Sequence, residues 1–138
     1  KPHFLLLRLL YLQTINKKSD NFTLRKKINI YYYKKLKLIN SKKIIIPNFC
    51  DFNFQNYLDF PILVDNKYRF HKFFIKRNIE LRLYHYYNCE KIFSKKTTCK
   101  KSEILSNQLV CLPNHKMITY DYVDNVINLI KKYLRETN

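Results

Sequence analysis

The chain contains no glycine and no tryptophan among its 138 residues, and only one methionine. Nucleotide-binding loops of the G-x-G-x-x-G and G-x-x-x-x-G-K-[ST] types need glycine, because their backbone turns tightly and approaches the phosphates closely. The composition therefore excludes both kinds of loop from this chain. Any cofactor or nucleotide phosphate would have to be held in another way, or by another piece of protein.

Acidic residues are scarce: 10 Asp and Glu stand against 27 Lys and Arg, which gives a formal net charge of +17. The basic residues are spread along the chain, so a general compositional bias explains the charge. The other explanation is a polyanionic partner, namely nucleic acid, an anionic membrane or a phosphate-bearing substrate. Composition alone leaves both explanations open.

The cysteines lack the C-x-x-C spacing that zinc and thioredoxin-type sites use. They are Cys50, Cys89, Cys99 and Cys111. The four histidines lie far apart, and we therefore expect no metal site. The apolar run from Phe4 to Leu12 is interrupted by Arg8 and is far too short to span a membrane. These features indicate a cytoplasmic protein with reduced thiols and no membrane association.

The length predicts a single domain over residues 1–138, with enough apolar residues for a packed core. The sequence opens on Lys1 rather than on methionine, which indicates a fragment or a processed product.

The clearest element is a helix from Tyr120 to Leu134. Thr119 can accept hydrogen bonds from the first free amides of that helix, and Asp121 places negative charge near its positive end. Apolar residues then recur at spacings of three and four, which predicts one buried stripe. The stripe consists of Val123, Val126, Ile127, Ile130 and Tyr133.

A second amphipathic helix is predicted from Phe22 to Leu38. Its apolar stripe consists of Leu24, Ile28, Tyr31, Tyr32 and Leu36, and lysines largely fill the opposite side. Tyrosines interleaved with lysines could form a nucleic-acid surface, since bases stack on aromatic rings. A stripe at helical period is more commonly buried core.

The remaining elements alternate between helices and short strands, which predicts an α+β fold: a small sheet covered by helices. We predict helices over Phe4–Gln13 and Asn66–Arg77, strands over Ile44–Ile46, Tyr57–Val64, Ile79–Tyr84 and Leu109–Leu112, a solvated turn over Lys95–Lys101, and a helical turn over Ser102–Ser106.

Three positions carry more specific expectations. Pro61 lacks a backbone donor, so it should lie at a sheet edge or a bulge. Asp65 is the predicted cap of the helix that follows it. Asn78 should adopt the left-handed conformation at the end of that helix, because asparagine is the best substitute where glycine is not used.

Several segments, in order, resemble the C-terminal small domain of the DegT/DnrJ/StrS family of sugar aminotransferases. The segment Leu112–Thr119 is similar to the family's Leu-Pro-x-His-Pro-x-Leu-Thr turn, with lysine in place of the second proline. Phe60–Val64 resembles a family strand, and His71–Glu80 resembles the helix that leads to its Gly-Ile-Glu turn. Near the start, His3–Gln13 and Asp20–Arg25 are similar to the family's His-Pro-Leu helix and its Asp-x-Phe-x-x-Arg motif.

The resemblance implies a fold like the small domain of type I, aspartate aminotransferase-like enzymes that depend on pyridoxal phosphate. In this family the large N-terminal domain carries the Schiff-base lysine, the carboxylate that pairs with the pyridinium nitrogen, and most of the phosphate cup. None of that domain is present here. We therefore name no catalytic residue and expect the isolated chain neither to bind pyridoxal phosphate nor to transaminate.

For the full-length enzyme the resemblance implies a homodimer that transfers an amino group, usually from glutamate, to a keto-sugar nucleotide in amino-sugar or polysaccharide biosynthesis. His85 and Tyr86 fall near the family's His-Tyr element and are candidate substrate contacts, although a surface aromatic loop would look the same. His3 falls at the entry to the domain and is a further candidate. His115 is interpreted as a turn residue.

Two other functions stay open. A small basic nucleic-acid-binding module would account for the net charge directly, although the chain contains no motif typical of such modules. An interaction domain with an exposed apolar side would dimerise or aggregate when alone.

Overall fold

A computed structural model describes Arg8, Tyr11 and residues 20–39, 41–46, 48, 58–83 and 99–137. Its elements are, in chain order, α1 (Asp20–Lys37), β1 (Ile44–Ile45), β2 (Phe60–Val64), α2 (Lys67–Ile75), α3 (Lys100–Gln108), β3 (Leu109–Leu112) and α4 (Tyr120–Glu136). Arg8 and Tyr11 are helical, as predicted; the rest of the predicted helix Phe4–Gln13 lies outside the described residues.

The three strands form one antiparallel sheet in the order β1-β2-β3. Leu63 lies at the centre of a row that crosses all three strands, opposite Ile45 on one side and Leu109 on the other. Beyond β3, Arg82 and Cys111 exchange two backbone hydrogen bonds of 3.2 and 3.1 Å. In place of the predicted strand Ile79–Tyr84, the described residues 79–83 form this single bridge. Their side chains nevertheless alternate between buried and exposed, as in a strand.

One face of the sheet forms the core with the helices. Phe60, Ile62 and Val64 alternate along β2 and are at most 2% exposed, because every second side chain of a strand points to the same face. α1, α2 and α4 contribute the apolar side chains of the same cluster. The predicted α+β class, a small sheet covered by helices, is therefore confirmed.

α4 matches its prediction closely. All five residues of the predicted stripe are buried, together with Leu134. Thr119 has extended backbone angles, and its Oγ1 accepts a hydrogen bond from the amide of Tyr122 at 3.2 Å. The helix ends at Glu136, two residues beyond the prediction.

In α1 three of the five residues of the predicted stripe are buried, and Leu24 and Tyr31 are half-buried. Ile28, Tyr32 and Leu36 are at most 2% exposed, and the ring of Tyr32 lies 5.3 Å from that of Phe60 on β2. Burial raises the pKa of the Tyr32 hydroxyl well above its ordinary value. Ile28, Tyr32 and Leu36 therefore belong to the core, as a stripe at helical period predicts.

The cap of α2 was predicted one residue too early. Oδ1 of Asn66, rather than the carboxylate of Asp65, accepts a hydrogen bond from the amide of Arg69 at 2.9 Å. Asp65 cannot serve because its backbone still belongs to the sheet edge, where its amide donates to the carbonyl of Lys43. At the other end Asn78 has φ of 58°, which confirms the predicted left-handed residue.

Two further expectations need correction. The short turn predicted over Ser102–Ser106 is a helix of 9 residues, and it includes Lys100 and Lys101 from the predicted solvated turn. Pro61 lies on the middle strand rather than on an edge strand. However, the amide and carbonyl of Cys111, which lies opposite Pro61 on β3, both bond to Arg82. Pro61 and Cys111 therefore form a non-hydrogen-bonded pair, in which the backbone groups of Pro61 face away from β3. On that side β1 pairs only with Leu63 and Val64, so the missing donor interrupts no ladder among the described strands.

Candidate functional site

The turn after β3 is built around hydrogen bonds to its own backbone. The carbonyl of His115 accepts a hydrogen bond from the amide of Ile118 at 3.0 Å, and Nδ1 of His115 accepts one from the amide of Met117 at 3.3 Å. His115 is exposed, and its side chain closes the turn. It is a turn residue, as predicted.

A buried amide pair fixes this turn to α1. Asn114 and Asn29 are 4% and 3% exposed, and Nδ2 of Asn114 donates to Oδ1 of Asn29 at 2.6 Å. Nδ2 of Asn29 donates in turn to the carbonyl of Asp59, directly before β2, at 3.3 Å. Buried polar groups need such partners, so this network specifies how turn, helix and sheet fit together.

A charged cluster joins the outer sides of α1 and α4. Asp124 accepts from the Tyr31 hydroxyl at 2.9 Å and pairs with the Lys35 ammonium at 2.9 Å. The ring of Tyr31 also lies 4.8 Å from that of Tyr120. The hydrogen bonds that Asp124 accepts from Lys35 and Tyr31 lower its pKa, and the hydrogen bonds that Lys35 donates to Asp124 and Tyr31 raise the pKa of Lys35. Tyr32 is buried, and the half-buried Tyr31 is engaged with α4, so these two tyrosines do not form the stacking surface that the nucleic-acid interpretation needs.

The candidate substrate residues His3, His85 and Tyr86 lie outside the described residues. The nearest described neighbour of His85 is Leu83, which is 2% exposed. Just before it, Arg82 pairs with Asp59 at 2.8 Å and bridges to Cys111. The structure therefore fixes the chain up to two residues before His85.

Sequence reasoning missed a buried lysine just after β2. Lys67, in the first turn of α2, is 7% exposed, and its ammonium donates to the carbonyl of Ser106 in α3. It lies 5.3 Å from the ring centre of Tyr68. The only available signal was its position at the start of a predicted helix, which does not distinguish it from the exposed lysines.

Comparison with known proteins identifies the family. A sequence profile described as the DegT/DnrJ/EryC1/StrS aminotransferase family matches residues 9–131. The chain belongs to this family. A comparison with curated proteins found no match.

Solved structures share the fold of this DegT/DnrJ/EryC1/StrS chain at low identity. A family aminotransferase from Brucella abortus is 17% identical, with a TM-score of 0.73 over 88% of this chain and 33% of its own. A sugar aminotransferase from Micromonospora echinospora is 16% identical, with a TM-score of 0.71 over 88% and 33%. The E. coli GDP-4-keto-6-deoxy-D-mannose-3-dehydratase, solved with bound hydrated PLP, is 14% identical, with a TM-score of 0.62 over 78% and 30%. The chain thus spans about a third of the length of the structures that it matches.

Enzymes of this family depend on pyridoxal phosphate. The described residues do not assemble a site for it. Lys67 is the one buried lysine among them, and its ammonium faces the carbonyl of Ser106 rather than an open pocket. The described part of the chain also holds no group of three or more His, Cys, Asp or Glu that could bind a metal ion. None of the described helices is long and apolar enough to cross a membrane.

Proposed function

We propose that this chain is the small domain of a pyridoxal-phosphate-dependent aminotransferase that acts on a keto-sugar nucleotide. The observation that carries the proposal is the family match over residues 9–131. The shared fold and the coverage of about a third of each matched structure support it. Residues 1–138 then form a single domain, and a separate large domain supplies the Schiff-base lysine.

In the assembled enzyme the cofactor would act as the electron sink, and the protein would bind and orient the substrate. His85, Tyr86 and His3 are the residues that we propose to contact the sugar nucleotide. The described residue that precedes them in the chain is Leu83, next to the bridge between Arg82 and Cys111. The assembled enzyme is proposed to be a homodimer.

Cofactor binding tests whether the Schiff-base lysine belongs to the large domain rather than to this chain. The purified chain is incubated with pyridoxal phosphate, reduced with borohydride and digested for mass spectrometry. We expect no specific lysine adduct and no change in the visible absorbance of the cofactor, because Lys67 is bonded to Ser106 and the other described lysines are not buried. A stoichiometric adduct at one lysine would contradict the proposal.

The reading frame upstream of Lys1 tests the assignment itself. An in-frame large domain with a Schiff-base lysine is the expected result, and its absence throughout the same genome would overturn the assignment. With that domain supplied, His85→Ala and Tyr86→Phe should raise the KM for the sugar nucleotide, whereas His115→Ala should not. Equal effects of all three variants would remove His85 and Tyr86 from the site.

A further inference from the structure

The fold brings together cations that lie far apart in the sequence. α1 and α4 pack side by side and run parallel, since the contacts between them advance in the same direction along both. Tyr31 and Lys35 of α1 bond to Asp124 in the first half of α4. Further on, the ammonium of Lys43, after the end of α1, donates to the carbonyl of Thr137, directly after α4. The C-terminal ends of the two helices therefore lie next to each other.

Five cations surround these two helix ends, and we call them the basic end. Lys131 and Arg135 lie on the same face of α4 as Asp124, because they follow it at steps of seven and four residues. The other three come from α1 and from the loop after it: Lys34, Lys35 and Lys42. Lys35 is half-buried, and the other four are exposed. The two ends of the sequence thus contribute to one charged surface.

Charges within the chain neutralise only part of the basic end. Asp124 is the one carboxylate on this face of α4, and it is paired with Lys35 at 2.9 Å. Glu136, at the end of the same helix, pairs instead with Arg77, which follows α2, at 3.9 Å. The four exposed cations take part in none of the described ion pairs. Two helix C-termini add about one negative charge in total. Five positive charges therefore face about two negative ones, and the surface stays positive.

The chemistry of the basic end fits the phosphate backbone of nucleic acid. Four of its five residues are lysines, which bind phosphate well and are depleted in interfaces between proteins. Leu38, directly after α1, is 82% exposed, but one apolar side chain is too little for insertion into a membrane surface. The five residues include no aromatic ring on which bases could stack. Contacts to phosphates alone carry no information about base sequence.

We propose that the basic end binds the backbone of a nucleic-acid duplex, through about four phosphate contacts and without regard to base sequence. Lys35 is engaged with Asp124, which leaves the four exposed cations for these contacts. This binding is separate from the proposed aminotransferase function, and neither depends on the other.

Fluorescence anisotropy on the whole chain, with short DNA and RNA duplexes of several sequences, tests the proposal. We expect binding at about 50 mM salt and about a hundredfold weaker binding at about 200 mM, because each phosphate contact adds about 0.9 to the slope of log K against log salt. The affinity should be the same for all sequences. No binding at low salt, or a marked preference for one sequence, would overturn the proposal. Binding to phosphatidylserine vesicles without binding to either duplex would overturn it as well.

Two variants of equal charge separate the basic end from the net charge of the chain. The basic-end variant removes three of its exposed cations: Lys34→Ala, Lys131→Ala and Arg135→Ala. The control variant removes three exposed cations of α2 and its C-cap: Arg69→Ala, Lys72→Ala and Lys76→Ala. We expect the first to lower the salt slope by about 3, one for each lost phosphate contact, and the control to leave the slope unchanged. Equal losses in both would show that net charge alone drives binding, and the proposal would fail.

A conservative variant separates lost contacts from a lost fold. Lys34→Arg, Lys131→Arg and Arg135→Lys keep all three charges, so the affinity and the salt slope should match those of the wild type. Circular dichroism should give the wild-type spectrum for every variant, because all the changed side chains are exposed. A folded conservative variant that no longer binds would contradict an electrostatic contact at this surface.

Discussion

Along the chain, α3 lies directly before β3 and α4 follows it, yet different interactions hold the two helices in place. α4 buries six side chains and is connected to β3 through a turn that the Asn29–Asn114 pair ties to α1. α3 precedes β3 directly and buries no side chain, and a lysine from α2, Lys67, donates to the carbonyl of its Ser106. Proximity to the sheet in sequence is therefore no measure of integration into the core. The six side chains that α4 removes from water stabilise its position by more in total than one charged hydrogen bond can stabilise α3.

The largest expected difference lies between one apolar side chain of each helix. Ile130→Ala in α4 should lower the free energy of unfolding by about 2–5 kcal/mol, because Ile130 is fully buried and the change leaves a cavity. Leu105→Ala in α3, at a half-exposed position, should change it by less than about 0.5 kcal/mol. Urea unfolding measures both, and a comparable loss from Leu105→Ala would show that α3 is packed as firmly as α4.

The buried amide pair should rank next. Asn114→Ala removes the donor to Oδ1 of Asn29 and should cost about 1–3 kcal/mol of unfolding free energy, since a buried acceptor loses its partner. Lys116→Ala, at an exposed position of the same turn, is the control, with an expected change below about 0.5 kcal/mol. Should the two variants unfold at the same urea concentration, the amide pair does not hold the turn.

The helix caps give a smaller test of the same contrast. Thr119→Ala should lower the free energy of unfolding by about 1 kcal/mol, because it removes the oxygen that accepts the Tyr122 amide. Cys99→Asp gives α3 the cap that it lacks, and should slow hydrogen exchange in α3 without changing global stability. An increase in global stability from Cys99→Asp would mean that α3 unfolds together with the core.

The smallest expected effect is that of the charged cluster of Tyr31, Lys35 and Asp124, which joins α1 and α4. The hydrogen bonds from Lys35 and Tyr31 lower the pKa of Asp124 in the folded state. The ionised carboxylate therefore contributes to the free energy of unfolding at neutral pH. That contribution is lost as the pH falls below about 4, where the carboxylate is protonated in the unfolded chain and then in the folded one. The stability difference between wild type and Asp124→Asn should therefore shrink in acid and at high salt. A difference that is independent of pH would exclude the ionised carboxylate as its source.

The sequence predicted best where the signal was local. The cap at Thr119, the stripe of α4, the bounds of β3 and the left-handed Asn78 each follow from residues within a few positions of one another. Asn29 and Asn114 could not be paired in this way, because 85 positions separate them and each alone is compatible with a surface site. The burial of Lys67 likewise depends on the approach of α3, which tertiary structure decides.

Family motifs supplied what local patterns could not. The turn Leu112–Thr119 and the ordered segments before it indicated the family that the profile match establishes. His3, His85 and Tyr86 stay predictions, since they lie outside the described residues. The local chemistry of a histidine followed by a tyrosine does not by itself distinguish a substrate contact from a surface loop.

Pro61 bears on how the molecule behaves at high concentration. A sheet with unpaired backbone groups along one side can recruit a strand from another molecule and begin aggregation. Two residues before Leu63, beyond the described pairs of β1, β2 carries a proline that cannot donate a hydrogen bond to an added strand. An added strand would find a gap in its ladder at that point. Among the described strands, the proline in the middle of the sheet therefore removes one hydrogen bond that intermolecular pairing would need.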